Sequence, residues 1–339
     1  MSDFDIFNPK VSKVVAGIEG KSLLIHSQER KLGKTAHACR MPKPFYLRFE
    51  QGINAIDGIP YAELTNLREF KKVNKQLTDP KTLDQAKELY TTVIFDTIDV
   101  AIKWCEDYVC STQGITRLND GNNGYGAWKE YETEWFKEIN KLTNAGYAII
   151  FIAHSVEKEK LDPVTGEKYV QMSPIGSKRD TDLILNLVDF IGYVKSNGFT
   201  EEGEEIPSSI YFANTKEFQA GSRFKHMPKV IKEYTAENLL AAIKEAVEKE
   251  EQESGHKTIT FEEKKKEEKK ERISFKELMN KVQELGQKLV EADMLDTLTD
   301  IVESVLGTGK KVSECTEKQY DPVSVICDEL TDKVEELGL

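Results

Sequence analysis

Three short apolar runs stand out along this chain, and each ends in a polar residue. Leu23, Leu24 and Ile25 read as the end of a buried strand. Residues 92–96, TVIFD, place β-branched and aromatic positions before a carboxylate, and residues 148–154, AIIFIAH, are apolar up to His154. Near-continuous apolar runs describe strands covered on both faces of a parallel sheet. Residues 44–50 (PFYLRFE) read as another strand, and 190–196 and 209–214 as two more, joined across a Gly/Glu-rich turn. Elsewhere the period turns helical. Trp128, Tyr131, Trp135, Ile139 and Leu142 recur at helical steps, which predicts a helix over 128–143 closed near Gly146. Further helices are predicted after residue 33 and over 80–90, 98–109, 181–188 and 235–249. Stretches 111–126 and 155–180 carry turn signals and read as loops. Residues 1–20 read as a lead-in whose Phe4, Ile6 and Phe7 pack on the rest. Strands alternating with helices predict an α/β domain with a mainly parallel sheet over residues 1–247.

Past residue 247 the pattern changes. Residues 248–272 are rich in Lys and Glu without apolar periodicity, so they read as a charged linker or an exposed helix. Residues 273–306 then place Phe275, Leu278, Val282, Leu285, Leu289, Leu298 and Val302 on one face. Asp321 and Pro322 would start a last helix running to Val334. Residues 273–339 thus form a small helical module.

Charge sharpens this division. The net charge is −12; residues 273–339 hold 7 Lys/Arg against 15 Asp/Glu, which leaves residues 1–247 nearly neutral. Binding of DNA by bulk charge is excluded, so any DNA contact must be local. No apolar run reaches the roughly 18 residues of a membrane span, and the N-terminus lacks a secretory pattern. The expectation is a cytoplasmic protein with no membrane partner. Its five cysteines form no C-x-x-C pair, which favours buried thiols over a zinc site.

The chemistry centres on residues 28–36, QERKLGKTA. A strand, a loop and a helix opening at Gly33-Lys34-Thr35 have the layout of a phosphate-binding loop. Backbone N–H groups at the helix start would bind phosphate, Lys34 would reach the β- and γ-phosphates, and Thr35 would ligate Mg²⁺. The first glycine of the full G-x-x-x-x-G-K-[ST] pattern is replaced by Gln28, which turns out of a strand less readily. Asp96 stands where a phosphate-loop ATPase holds the carboxylate that positions Mg²⁺. Glu50 and His154 also close strands, at the end of a sheet where ligands bind. Glu50 is a candidate base for the attacking water and His154 a candidate contact to the γ-phosphate. Each of these residues also has a plain alternative as a polar strand terminus.

The phosphate loop, FYLRFE, TVIFDTID, Gly124-Tyr125-Gly126-Ala127-Trp128 and AIIFIAH, in this order, resemble the RecA-like ATPases of bacteriophages. These are core-only relatives of RecA that act as recombinases or single-strand annealing proteins. The resemblance covers about residues 10–235. It implies a RecA-like P-loop NTPase core using ATP and Mg²⁺, with Gln28, Glu29, Arg30, Lys31, Leu32, Gly33, Lys34, Thr35 and Ala36 around the nucleotide. It implies a Mg²⁺ role for Asp96, a catalytic role for Glu50 and a sensor role for His154. The loops at 111–126 and 155–180 would face single-stranded DNA, with Lys168, Lys178 and Arg179 as cations and Tyr125 or Tyr169 as stacking platforms. Lys216 and Arg223 would reach a neighbouring subunit's ATP in a filament or ring. The implied setting is phage recombination or repair, with a protein partner for the acidic module. Two alternatives stand beside this reading: a nucleotide-gated annealing or loading protein with little turnover, and a scaffold with a vestigial nucleotide site.

Overall fold

Strand β1 (Ser22–Ser27) divides its apolar side chains between two cores, with Leu24 in one and Leu23 and Ile25 in the other. That split organises the computed structural model, which describes residues 13–264, 266 and 274–338. The expected packing of Phe4, Ile6 and Phe7 lies outside the described residues. After β1 come α1 (Lys34–Ala38), β2 (Pro44–Arg48), β3 (Tyr61–Glu63), α2 (Leu67–Thr78), α3 (Leu83–Leu89), β4 (Thr92–Asp96), α4 (Ile98–Gln113) and α5 (Trp128–Ala145). Then follow β5 (Ala148–Leu161), β6 (Lys168–Pro174), α6 (Lys178–Leu185), β7 (Phe190–Lys195), β8 (Ser209–Tyr211), β9 (Gly221–Ser222), β10 (Val230–Ile231) and α7 (Ala236–Ser254).

The described strands form a ten-stranded sheet in the order β10-β8-β7-β1-β5-β4-β2-β3, with β6 on β5 and β9 on β7. Strands β3, β2, β4, β5, β1 and β7 run parallel, so their carboxyl ends share one edge. One face packs Leu47, Phe95 and Phe151 against Phe70 of α2, Ile98 of α4, and Trp135 and Leu142 of α5. The opposite face packs Tyr46, Ile94, Ile152 and Phe190 against Ala38 of α1 and Leu239 and Ile243 of α7. This is the α/β domain with a mainly parallel sheet that the alternation predicted.

Four features depart from the expectations. Helix α2 and strand β3 occupy a stretch where no element was predicted; Asn66 caps α2 by accepting from the Glu69 N–H at 3.1 Å. The expected loop at 155–180 is mostly a ribbon, because β5 continues to Leu161 and pairs antiparallel with β6. Past His154 the strand no longer pairs with β1 or β4, so its apolar run stops while its backbone pairing continues with β6. Helix α6 starts at Lys178 rather than 181, because Ser177 and Asp180 cap its first turn reciprocally. Last, the expected boundary at 247 falls inside α7. The first compact unit runs from Lys13 to Phe261, with Ile259 bridged to Val15.

The second unit holds helices α8 (Phe275–Glu291), α9 (Leu295–Leu306) and α10 (Tyr320–Leu337). Leu278, Val282 and Leu289 of α8 pack with Val323, Ile326 and Leu330 of α10. The last helix begins at Tyr320, which places Pro322 within its first turn. No helix among the described residues is long and apolar enough to cross a membrane.

Candidate nucleotide site

The parallel register brings the ends of β1, β2, β4 and β5 together, and with them the polar residues that close each strand. Beyond Ser27, residues 28–31 are exposed and Leu32 is buried, so the loop is pinned at one point and open above it. The turn into α1 uses positive φ at Lys31 (65°) and at Gly33 (77°). Gln28 is not among the positive-φ residues, so the turn at the replaced glycine needs no left-handed backbone. Gly33 has a second reason to be glycine, because a Cβ there would lie 2.9 Å from the His37 ring.

Lys34 Nζ donates to Ser27 Oγ, which keeps the ammonium beneath the loop. Burial lowers the Lys34 pKa, while the negative charges of Asp96 and Glu50 oppose that shift. Thr35 Oγ1 donates to Asp96 Oδ2 at 2.7 Å, and Tyr46 Oη donates to the same oxygen at 2.8 Å. Asp96 is 2% exposed. Burial raises its pKa, and the hydrogen bonds from Thr35 and Tyr46 pull it back. The chain after β2 folds over this carboxylate, since a Cβ on Gly52 would lie 2.6 Å from Asp96 Oδ2 and 2.4 Å from Tyr46 Oη.

Glu50 is held beside Asp96 by its backbone N–H, which donates to the Asp96 carbonyl at 3.2 Å. Burial and the Asp96 charge raise the Glu50 pKa, and His154 lowers it. His154 Nδ1 lies 3.3 Å from Asp99 Oδ2, and that hydrogen bond raises the imidazole pKa. Five predicted residues, Lys34, Thr35, Glu50, Asp96 and His154, therefore converge on one edge. Among the described residues no group of three or more His, Cys, Asp or Glu is placed to hold a metal. The donors present are one carboxylate and one hydroxyl in mutual contact. That set suits Mg²⁺, which takes few protein ligands and completes its shell with phosphate oxygens and water.

Sequence reading missed Ser27, Tyr46 and Asp99, which hold Lys34, Asp96 and His154. Asp99 lies in the first turn of α4, just past the strand end that carries Asp96, and could have been found by that nearness. Tyr46 reaches its partner on the neighbouring strand and leaves no local signal. His26, also missed, is fully buried in β1, where Nδ1 lies 2.8 Å from Ser155 Oγ and Nε2 lies 2.7 Å from the Gln219 carbonyl.

The other predicted residues lie away from this cluster. Arg179 sits 4.3 Å over the Trp128 ring and 3.5 Å from Glu132, and Lys178 is exposed beside it at the start of α6. Tyr125 is 91% exposed in the loop that precedes Trp128. Lys168 pairs with Glu159 across the ribbon at 2.7 Å. Lys216 pairs with Asp162 at 2.6 Å and stands 5.8 Å from the centre of the Tyr169 ring. Arg223 pairs with Asp189 at 3.4 Å and donates to the Asn186 carbonyl at 2.7 Å. Both cations expected to reach a neighbour are thus engaged within their own chain.

Comparison with known proteins agrees with this geometry. The chain is 44% identical over 332 residues to the SPbeta prophage-derived uncharacterized protein YorG of Bacillus subtilis (strain 168), covering 98% of this chain and 99% of the relative. Residues 20–224, which span the phosphate loop and the strands whose ends form the site, match the AAA domain family. A strand-loop-helix carrying Gly33, Lys34 and Thr35, with a buried Asp96 against Thr35, is what such a domain requires, and the chain belongs to the AAA-domain family of P-loop ATPases.

Proposed function

We propose that this protein is a Mg²⁺- and ATP-dependent ATPase that acts on single-stranded DNA in phage recombination or repair and assembles with copies of itself. The observation that carries the reading is the convergence of Lys34, Thr35 and Asp96 with Glu50 and His154 at the carboxyl edge of the sheet. Lys34 would hold the β- and γ-phosphates, and Thr35 and Asp96 would hold Mg²⁺. Mg²⁺, when bound, supplies charge neutralisation at the phosphates. Glu50 would orient the attacking water as a base, and His154 would read the γ-phosphate while Asp99 orients its ring.

The DNA part rests on a separate surface. Arg179 over Trp128, with Tyr125 exposed nearby in sequence and Lys178 alongside, combines cations and aromatic faces, the pairing that binds single strands without sequence preference. The prophage origin named for the relative supports the phage setting. A nucleotide-gated clamp with little turnover is the second reading. It is favoured by the enclosure of Asp96, whose Oδ2 already takes two hydrogen bonds under Gly52.

ATP hydrolysis measured with and without single-stranded DNA separates the two. Turnover stimulated by DNA supports the ATPase. DNA binding that needs ATP, with no turnover, supports the clamp. Absence of both DNA binding and ATP binding removes both readings.

A further inference from the structure

His26 is a fully buried titratable group that the proposed chemistry does not use. Its Nε2 lies 2.7 Å from the Gln219 carbonyl, which can only accept, so Nε2 carries the proton. Burial pushes the pKa down to about 4, so the ring is neutral at physiological pH and Nδ1 is an acceptor. The Ser155 hydroxyl, whose Oγ lies 2.8 Å from Nδ1, therefore donates to it. The carbonyl on one side fixes the tautomer, and the direction of both hydrogen bonds follows.

The place of this contact makes it informative. In the register of β1 with β5, His26 stands beside Ala153 and Ser27 beside His154, and there the pairing ends. Ser155 is the first residue beyond, two positions past Ala153 and so on the same side of the strand. Its partner on β6 is Pro174, which has no N–H to give to the ladder. His26 thus holds β5 just where pairing with β1 stops. Its other arm is also anchored, because the Gln219 N–H donates to the Met172 carbonyl of β6 at 2.8 Å. The ring therefore ties β1 to both strands of the ribbon, with Tyr193 of β7 set edge-on to it at 5.2 Å between centroids.

The chain neighbour of Ser155 is His154, whose ring is only half-buried and meets Asp99 at 3.3 Å. That distance is at the long end for a hydrogen bond, so a small displacement of the backbone would break it. The backbone of His154 is what aims the ring, and Ser155 is its first fixed point on the ribbon side. We infer that His26 is a positioning residue: through Ser155 it fixes β5 at His154 and so holds the His154 ring against Asp99, at the edge where the γ-phosphate would lie. This role deepens, and depends on, the γ-phosphate contact proposed for His154. The strand that leads into the phosphate loop would then also set the group that reads the phosphate, and both would share one frame.

The test uses the full chain, first without nucleotide. The His154 imidazole is titrated by NMR, its signal assigned by its loss in His154→Ala. In the wild type the hydrogen bond to Asp99 holds this pKa above 6.5. Ser155→Ala removes the donor to Nδ1. His26→Gln can keep the bond to the Gln219 carbonyl but not the one to Ser155. Each should let the His154 pKa fall toward 6.5, and Ser155→Thr, which restores a hydroxyl, should return it to the wild-type value. ATP turnover is the second readout. Ser155→Ala should lower kcat about tenfold or more, with KM for ATP held within about twofold. In a His154→Ala background the same substitution should cost nothing further, because it acts only through that ring. An unchanged His154 pKa in both variants would overturn the inference. So would full kcat in Ser155→Ala, or an equal loss from it in the His154→Ala background, since His26 would then serve packing alone. A wild type that neither binds nor hydrolyses ATP would remove the proposed function by itself, while the His154 titration would still decide whether His26 sets this ring.

Discussion

Lys34 and Asp96 shift in opposite directions for one reason: burial penalises each charge, and each offsets part of the other's penalty. Lys34→Ala should leave the fold intact, because Asp96 keeps its hydrogen bonds from Thr35 and Tyr46 when the ammonium is gone. It should abolish ATP binding, a loss of about 100-fold or more from a missing charge-assisted contact. Calorimetric titration with ATP checks this, and wild-type affinity would refute the phosphate-loop assignment. Glu50→Gln should separate binding from chemistry. A glutamine keeps the shape and the backbone bond to Asp96, so ATP affinity should hold while hydrolysis falls by about 10²–10⁴. Equal losses in both would assign Glu50 a structural or metal role instead. His26 makes a prediction about pH. Burial holds its pKa at about 4, against 6.5 for a free histidine. Between those values the unfolded chain binds a proton that the folded chain refuses, so this contribution is intact above pH 6.5 and is lost as pH falls toward 4. The loss at the lower end is on the order of 3 kcal/mol. Urea midpoints measured from pH 7 to 5 should fall less steeply in His26→Phe than in wild type, whatever the variant's stability at pH 7.

Helix α6 owes its position to contacts from two other elements, β5 and α5, which makes it a rigid mount for Lys178 and Arg179. Lys158 on the ribbon donates to the Gly176 carbonyl at 2.9 Å and to Thr181 Oγ1 at 2.8 Å, Tyr131 of α5 donates to Asp180 at 2.7 Å, and Arg179 lies over Trp128. Reversing both charges with Lys178→Glu and Arg179→Glu should weaken single-strand binding at least about tenfold and flatten its salt dependence, since two phosphate contacts are lost. ATP affinity should not change, because no contact links either side chain to the nucleotide cluster. A filter-binding salt series measures both; an unchanged slope would move the DNA surface elsewhere. The contrast between α6 and β1 also explains what the sequence could disclose. Strands β1 and β4 and the first half of β5 are buried on both faces, so their composition alone reveals them. The rest of β5 and all of β6 form a ribbon with one exposed face, where Glu157, Glu159 and Leu161 look like loop residues. Lys34, Thr35 and Asp96 were legible because their spacing is local to a strand end. Tyr46 was not, because its bond to Asp96 depends on the pairing of β2 with β4.

The extent of the first compact unit turns on seven residues beyond α7. Ile259 exchanges backbone hydrogen bonds with the strand-like start of the unit, donating to Val14 at 3.1 Å and accepting from Ala16 at 2.8 Å. The Phe261 ring lies so close to Gly146 that a Cβ there would come within 2.0 Å of it, and it also covers Gly20. Gly146 is the C-cap of α5 with φ 84°, so the helix terminates where this ring must fit. Cutting the chain after residue 247 removes the ring, the bridge and the last turns of α7. Losing a partly buried phenylalanine and two backbone bonds should cost about 2–4 kcal/mol, a large share of a typical domain's ~5–15 kcal/mol. A chain of residues 1–264 retains all of these contacts. It should unfold at the same urea concentration as the nucleotide-binding unit of the full chain and bind ATP with equal affinity. Removing an appendage with 7 Lys/Arg against 15 Asp/Glu takes away repulsion toward phosphate, so its single-strand affinity should be unchanged or higher. The chain of residues 1–247 should melt earlier, and Gly146→Ala in the longer one should reproduce part of that loss. If residues 1–264 failed to fold, or folded and lost DNA binding, the helical module would be part of the first compact unit rather than a separate one.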